Sequence, residues 1–147
     1  KKALKYIPFF GQLYWLAGNI LIERESPKKA MVIMDRATQK AVIEDDMSIW
    51  VFPEGTRNPK PVLLPFKRGA FRTAIKAQVP LLPICVSTYQ GQVDLNRWQS
   101  GHIMIDILDT VFTGGLKPSD SAELAKRCQN QIQERIDTMN EALSKPK

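Results

Sequence analysis

Apolar residues recur along this chain with two different spacings, and the alternation between them sets out the expected elements. Ala30, Ile33, Met34, Ala37 and Ala41 follow one another at helical intervals. Ser26-Pro27 just before them has the form of a helix start, a serine cap with proline in the first helical position. The spacing predicts a helix from there to about Glu44. A second helix is predicted from the region of Lys67 and Gly69 to about Gln78. The third is the clearest: Leu124, Cys128, Ile132, Ile136, Met139 and Leu143 form one stripe, with Lys, Arg, Gln and Glu covering the rest. Asp120 and Glu123, after Pro118, resemble a capping box at its start.

Between the helices lie compact apolar runs that read as strands: 19–23, 47–52 (stopped by Pro53), 81–87 and 102–108. Asp106 in the last run implies a partly solvated face. Residues 53–65 carry Pro53, Pro59, Pro61 and Pro65, a density that stiffens a loop. Residues 89–100 read as a polar loop. Strands alternating with helices predict an α/β fold with a mainly parallel sheet flanked by helices. In such sheets ligands sit beyond the carboxyl ends of the strands, which directs attention to the residues after Phe52.

Length and composition narrow the classes. The 147 residues, 44% of them hydrophobic, suffice for one domain with a core, and residues 1–147 are expected to form one. Apolar content at this level argues against a disordered chain. No period of 20 to 50 residues recurs, which argues against a repeat array.

The net charge of +6 favours anionic partners, and it is concentrated. Between positions 53 and 76 lie Arg57, Lys60, Lys67, Arg68, Arg72 and Lys76 against a single acid, Glu54. A solvated face is the plain alternative reading of such a run.

Cys85 and Cys128 stand among apolar neighbours and read as reduced, buried small hydrophobes in a cytoplasmic setting. One histidine and two scattered thiols cannot close a zinc site, and no cofactor is expected.

Residues 6–22 carry no charge but hold five of the twelve aromatics: Tyr6, Phe9, Phe10, Tyr14 and Trp15. As a helix this segment would span roughly 25 Å, short of the ~30 Å hydrocarbon layer. Pro8, Gly11 and Gly18 oppose continuous helix. With Lys1, Lys2 and Lys5 alongside, the rings suit a membrane–water interface; packing in a core is the other reading.

Phe52-Pro53-Glu54-Gly55-Thr56-Arg57 places a carboxylate, a glycine that lets a ligand approach the backbone, a hydroxyl and a guanidinium at the end of a buried run. An ordinary Glu-Gly turn with a surface arginine is the plain alternative. Ten residues on, Pro65-Phe66-Lys67-Arg68-Gly69-Ala70-Phe71 opens a helix whose free amides and positive dipole end favour an anion, with Lys67 and Arg68 beside them. Those two cations could equally serve only to solubilise the helix. The spacing of a nucleotide-binding P-loop is missing.

Phe-Pro-Glu-Gly-Thr-Arg at 52–57, followed by Leu-Pro-Phe-Lys-Arg-Gly-Ala-Phe at 64–71, resembles the glycerolipid acyltransferase family, closest to its bacterial lysophosphatidate-acylating members. Gly-Asn-Ile-Leu-Ile-Glu-Arg at 18–24 is similar to that family's second block, and Val-Pro-Leu-Leu-Pro-Ile at 79–84 to its fourth. The resemblance covers nearly the whole chain. It implies a glycerol-phosphate acyltransferase-like fold. It also implies transfer of a fatty acyl group from a thioester to the free hydroxyl of lysophosphatidate, giving phosphatidic acid in phospholipid synthesis. Arg24 and Arg57 would hold the acceptor's phosphate, Glu54 and Gly55 would line its glycerol, and Pro83 would shape the pocket or the acyl path. Thr56 and Lys67 complete the expected substrate-binding set. The implied partners are a lysophospholipid acceptor, an acyl-CoA or acyl-carrier-protein donor, and a membrane surface, with no nucleic acid. The implied location is the cytoplasmic face of the inner membrane.

One departure matters. The family's first block, His-x4-Asp, supplies the general base and lies upstream of everything in this chain. The only histidine here is His102. In a strand, His102 and Asp106 would share a face about 13 Å apart, beyond hydrogen-bond reach. His102 therefore reads as structural or superficial, and no catalytic residue is assigned. The expectation is an N-terminally truncated enzyme that binds acceptor weakly and turns over almost nothing. The competing reading is a non-enzymatic module for anionic lipid or nucleic acid. Against nucleic acid, the aromatics cluster away from the basic stretch instead of interleaving with it.

Overall fold

The computed structural model describes residues 27–144, except 59, 61, 90–92, 95 and 99, together with Leu13. They belong to two compact units, Lys1–Trp50 and Val51–Lys147.

In the first unit, helix α1 (Pro27–Thr38) begins at the proline expected to start it. It widens over Gln39–Glu44 into a π-helical turn, in which the Asp45 N–H reaches five residues back to the Lys40 carbonyl at 2.9 Å. Asp46 then turns into the left-handed region, φ 51°, and ends the helix. The expected run to Glu44 is thus present with its last turn loosened. The expected serine cap and the run at 19–23 lie outside the described residues.

Residues 47–52 do not form the expected strand. A run of apolar residues becomes a strand only where a neighbour completes its ladder, and among the described residues no strand runs beside it.

The second unit is built around helix α2 (Arg68–Ala77), strands β1 (Ile84–Val86) and β2 (Ile105–Ile107), and helix α3 (Ser121–Ser144). Among the described residues the sheet has two strands, β1 and β2, and this pair is antiparallel, Ile84 opposite Ile107 and Val86 opposite Ile105. A Leu81–Val111 bridge continues the pairing, with bonds of 2.9 and 2.8 Å. The reason lies in the connection. A parallel return needs a crossover, usually a helix, and the described part of the 87–104 segment contains none.

Phe71 and Ile75 of α2 pack on Leu124, Ala125 and Cys128 of α3 and on Val111, with Phe66, Leu81 and Leu116 closing the edge. α2 ends at Gln78, left-handed at φ 54°, whose side-chain amide donates to the Ile75 carbonyl at 2.6 Å and accepts from the Gly115 N–H at 3.2 Å. The predicted stripe of α3 faces inward, with Leu124, Cys128 and Met139 buried. Its capping lies a turn earlier than expected: a 3₁₀ turn (Pro118–Asp120) precedes the helix, and the Asp120 carboxylate accepts the Lys117 N–H at 2.8 Å.

α3 also grips the sheet. Arg135 pairs with Asp106. Asn140 accepts the Thr88 N–H and donates to its hydroxyl, both at 2.9 Å. Cys85, on the covered face, is fully buried, while Ile105 and Ile107 on the other face are exposed. Among the described residues no helix is long and apolar enough to cross a membrane, and residues 6–22, Leu13 apart, lie outside that description.

Candidate functional site: a basic turn braced against a helix start

The two motif segments of the second unit fold onto each other. After Phe52 the chain turns sharply, so that the Gly55 N–H donates to the Phe52 carbonyl at 3.0 Å. Gly55 completes the turn at φ +66°, where any other residue except asparagine or aspartate is strained. The proline-rich loop then closes on itself: Oε2 of Glu54 accepts the Leu64 N–H at 2.9 Å, ten residues on. Within the loop, Asn58 accepts the Lys60 N–H at 3.0 Å and donates to the Val62 carbonyl. Finally the Lys67 N–H donates to the Pro53 carbonyl at 2.8 Å, bringing the head of α2 back to the turn.

The result is an intimate contact. The Lys67 side chain lies across Gly55 so closely that a Cβ there would stand 2.8 Å from Lys67 Cδ and 3.0 Å from Nζ. Glycine is needed at 55 for its backbone angle and for the space the lysine occupies. Lys67 itself is the extended residue before α2, and its side chain does not cap the helix. The first turn of α2 contains no acid. An ammonium group, an exposed Arg57 and Arg68, and the amide end of a helix therefore share one small region. Such a region favours a phosphate: positive dipole end, point charge and guanidinium fork all act in the same sense.

Of the expected substrate-binding residues, Glu54, Gly55 and Lys67 come together, with Thr56 and Arg57 exposed on the adjoining turn. Pro83 is buried just before β1, and its carbonyl accepts the Leu108 N–H at 3.0 Å. Arg24 lies outside the described residues. His102 is exposed, and Asp106 is engaged by Arg135. Cys85 and Cys128 are free, buried thiols. Burial pushes both up from the ordinary thiol pKa, helped at Cys85 by the Asp106 charge and opposed there by Arg135. Both are thus protonated and poor nucleophiles.

One residue at the site was not legible in the sequence. Gln129, on the polar-looking part of α3, reaches residues 64–66 with both ends of its amide. It borders an open groove of about 510 Å³ between Pro65, Phe66 and Arg68 and the first turns of α3. A glutamine among Lys, Arg and Gln reads as a solvated face, and only the packing of α3 on α2 shows otherwise.

Comparison with known proteins bears on this arrangement. A family model described as Acyltransferase matches residues 1–87, more than half of the chain and the whole of the basic turn. The chain belongs to the acyltransferase family. It is 42% identical over 145 residues to the 1-acyl-sn-glycerol-3-phosphate acyltransferase of Haemophilus influenzae, covering 99% of this chain and 60% of that protein. It is 40% identical over 134 residues to the human 1-acyl-sn-glycerol-3-phosphate acyltransferase alpha, covering 90% of this chain and 47% of that one. The solved structure of the 1-acyl-sn-glycerophosphate (LPA) acyltransferase PlsC from Thermotoga maritima shares the fold, with a TM-score of 0.70 at 22% identity over 99% of this chain and 56% of that one. This acyltransferase chain thus spans about half to three-fifths of the length of the relatives it matches. The family match ends before α3, so Gln129 lies beyond it.

Proposed function

We propose that this acyltransferase chain binds the acceptor for acyl transfer to lysophosphatidate, yielding phosphatidic acid. The observation that carries the reading is the Lys67 ammonium laid over the Gly55 turn, beside Arg57 and the head of α2. A phosphate monoester bound there gains charge-assisted hydrogen bonds from Lys67 and Arg57; Arg24, outside the described residues, is the second guanidinium that the motif resemblance implies. The glycerol part lies beside the Glu54–Gly55 turn, next to the Lys67 side chain that covers Gly55. The Glu54 carboxylate, though bonded to Leu64, has lone pairs left for an acceptor hydroxyl. Thr56 supplies a hydroxyl on the same turn, and Pro83 shapes the acyl path.

In the reaction, the acceptor oxygen forms a bond to the acyl carbon and the carbon–sulfur bond of the thioester breaks. The hydroxyl proton passes to a base, and the thiolate of coenzyme A or of an acyl carrier protein leaves. No residue here is assigned as that base. What these residues contribute is position: holding the acceptor's phosphate fixes its free hydroxyl, and orientation of this kind supplies much of an enzyme's acceleration. The acceptor is a lipid, so the protein works at a membrane surface, the cytoplasmic face of the inner membrane.

Binding of lysophosphatidate and of monoacylglycerol with the same acyl chain, measured in mixed detergent micelles, tests the reading. The two differ only in the phosphate. Binding of lysophosphatidate at least tenfold tighter is expected, and equal binding contradicts a phosphate site.

A further inference from the structure

Residues 64–67 cannot satisfy their backbone by a strand ladder. Pro65 has no N–H, and among the described residues no strand runs beside them. Their backbone groups find partners elsewhere in the fold instead. The Leu64 N–H goes to Glu54 and the Lys67 N–H to Pro53. Between them, the Leu64 carbonyl accepts from Nε2 of Gln129 and the Phe66 N–H donates to its Oε1, each at 3.4 Å. One side-chain amide on α3, more than sixty residues away in sequence, thus spans Pro65 and takes the groups on either side of it. The Phe66 ring, stacked on Phe71 with centroids 6.2 Å apart, fixes the other side of the segment.

We infer that Gln129 is a positioning residue for the phosphate site: it holds the 64–66 backbone so that the next side chain, Lys67, lies across Gly55. The inference rests on the phosphate-site reading above and extends it to α3, beyond both motif segments. Lys67 has no other described tether on its N-terminal side than the Pro53 bond and the path of residues 64–66. If that path shifts by an ångström, the ammonium leaves the turn, and electrostatic stabilisation of a bound phosphate is lost with it.

The test uses Gln129→Met, which keeps length and apolar bulk but removes both hydrogen bonds, with Gln133→Met, one turn further along the same helix and bonded only within it to Asp137 among the described hydrogen bonds, as control. Each is titrated with sn-glycerol 3-phosphate, alone and combined with Lys67→Ala, and each is melted. Gln129→Met is expected to raise the dissociation constant at least threefold in the parent chain and to change nothing further in the Lys67→Ala background. Gln133→Met leaves it unchanged. A role confined to stability predicts a lower melting temperature with unaltered affinity, and that result overturns the inference. So does an equal loss in both backgrounds, because Gln129 would then not act through Lys67. A parent chain that binds no glycerol phosphate overturns the phosphate-site reading as well. A parent that binds, beside a Gln129→Met that binds equally, removes only Gln129.

Discussion

Gly55→Ala separates two costs that the structure places at one atom. The first is conformational: at φ +66° an alanine sits in the left-handed region, at about 1 kcal/mol or somewhat more. The second is steric: the new methyl would stand 2.8 Å from Lys67 Cδ, so the lysine must swing away. Together they amount to about 1–2 kcal/mol, or a melting temperature lower by roughly 2–8 °C in a chain of this size. Two other glycines provide the controls. Gly115 has φ +78° with nothing within 4 Å of a Cβ, so Gly115→Ala carries the backbone cost alone. Gly69 lies in the first turn of α2 with open space around it, and Gly69→Ala should stabilise, by about 0.5 kcal/mol. Thermal melting gives the three values, and glycerol 3-phosphate titration shows which variant disturbs the site. Gly55→Ala should be the most destabilised and the only one of the three to lose affinity. Combined with Lys67→Ala, it should fall back to the cost of Gly115→Ala. If Gly55→Ala melts with the wild type, or costs the same with and without Lys67, the packing of lysine on glycine is not what the site depends on.

Other consequences are simpler to check. Cys85 and Cys128, buried and held protonated, should resist a thiol-specific disulfide reagent in the native chain and both react on unfolding; rapid native labelling would contradict their burial. The Asp120 pKa is lowered mainly by the Lys117 backbone N–H and next by the Ser119 hydroxyl. Its contribution to stability is therefore complete above the ordinary aspartate pKa and is lost as pH falls through the lowered native value. Asp120→Asn should remove that part of the acid-side slope in denaturant melts, and an unaltered slope would refute the assignment.

The helices were legible because their signals are local. Ser-Pro before the first helix and the apolar stripe along the last mark where they run, and the observed Pro27 start and the run of α3 to Ser144 agree with them. The direction of the β1–β2 pair was not, because strand direction depends on the path between strands. The polar segment 87–104 gives no hint in its composition that β2 returns antiparallel to β1. At the site, the chemistry of Glu54, Gly55 and Lys67 could be read from residue type, but not the use made of it. That Glu54 staples its own loop to Leu64 is a fact of three-dimensional closure. Gln129 was invisible for the same reason: a glutamine's partners lie wherever packing puts its helix.

Whether the basic turn holds the acceptor's phosphate is decided by the affinity of the Arg57→Ala chain for lysophosphatidate. Loss of a charge-assisted hydrogen bond to phosphate removes more than about 1 kcal/mol, so the dissociation constant should rise at least about fivefold, with the melting temperature unchanged at this exposed position. An affinity equal to that of the wild type would take Arg57 out of the site and contradict phosphate binding by the turn.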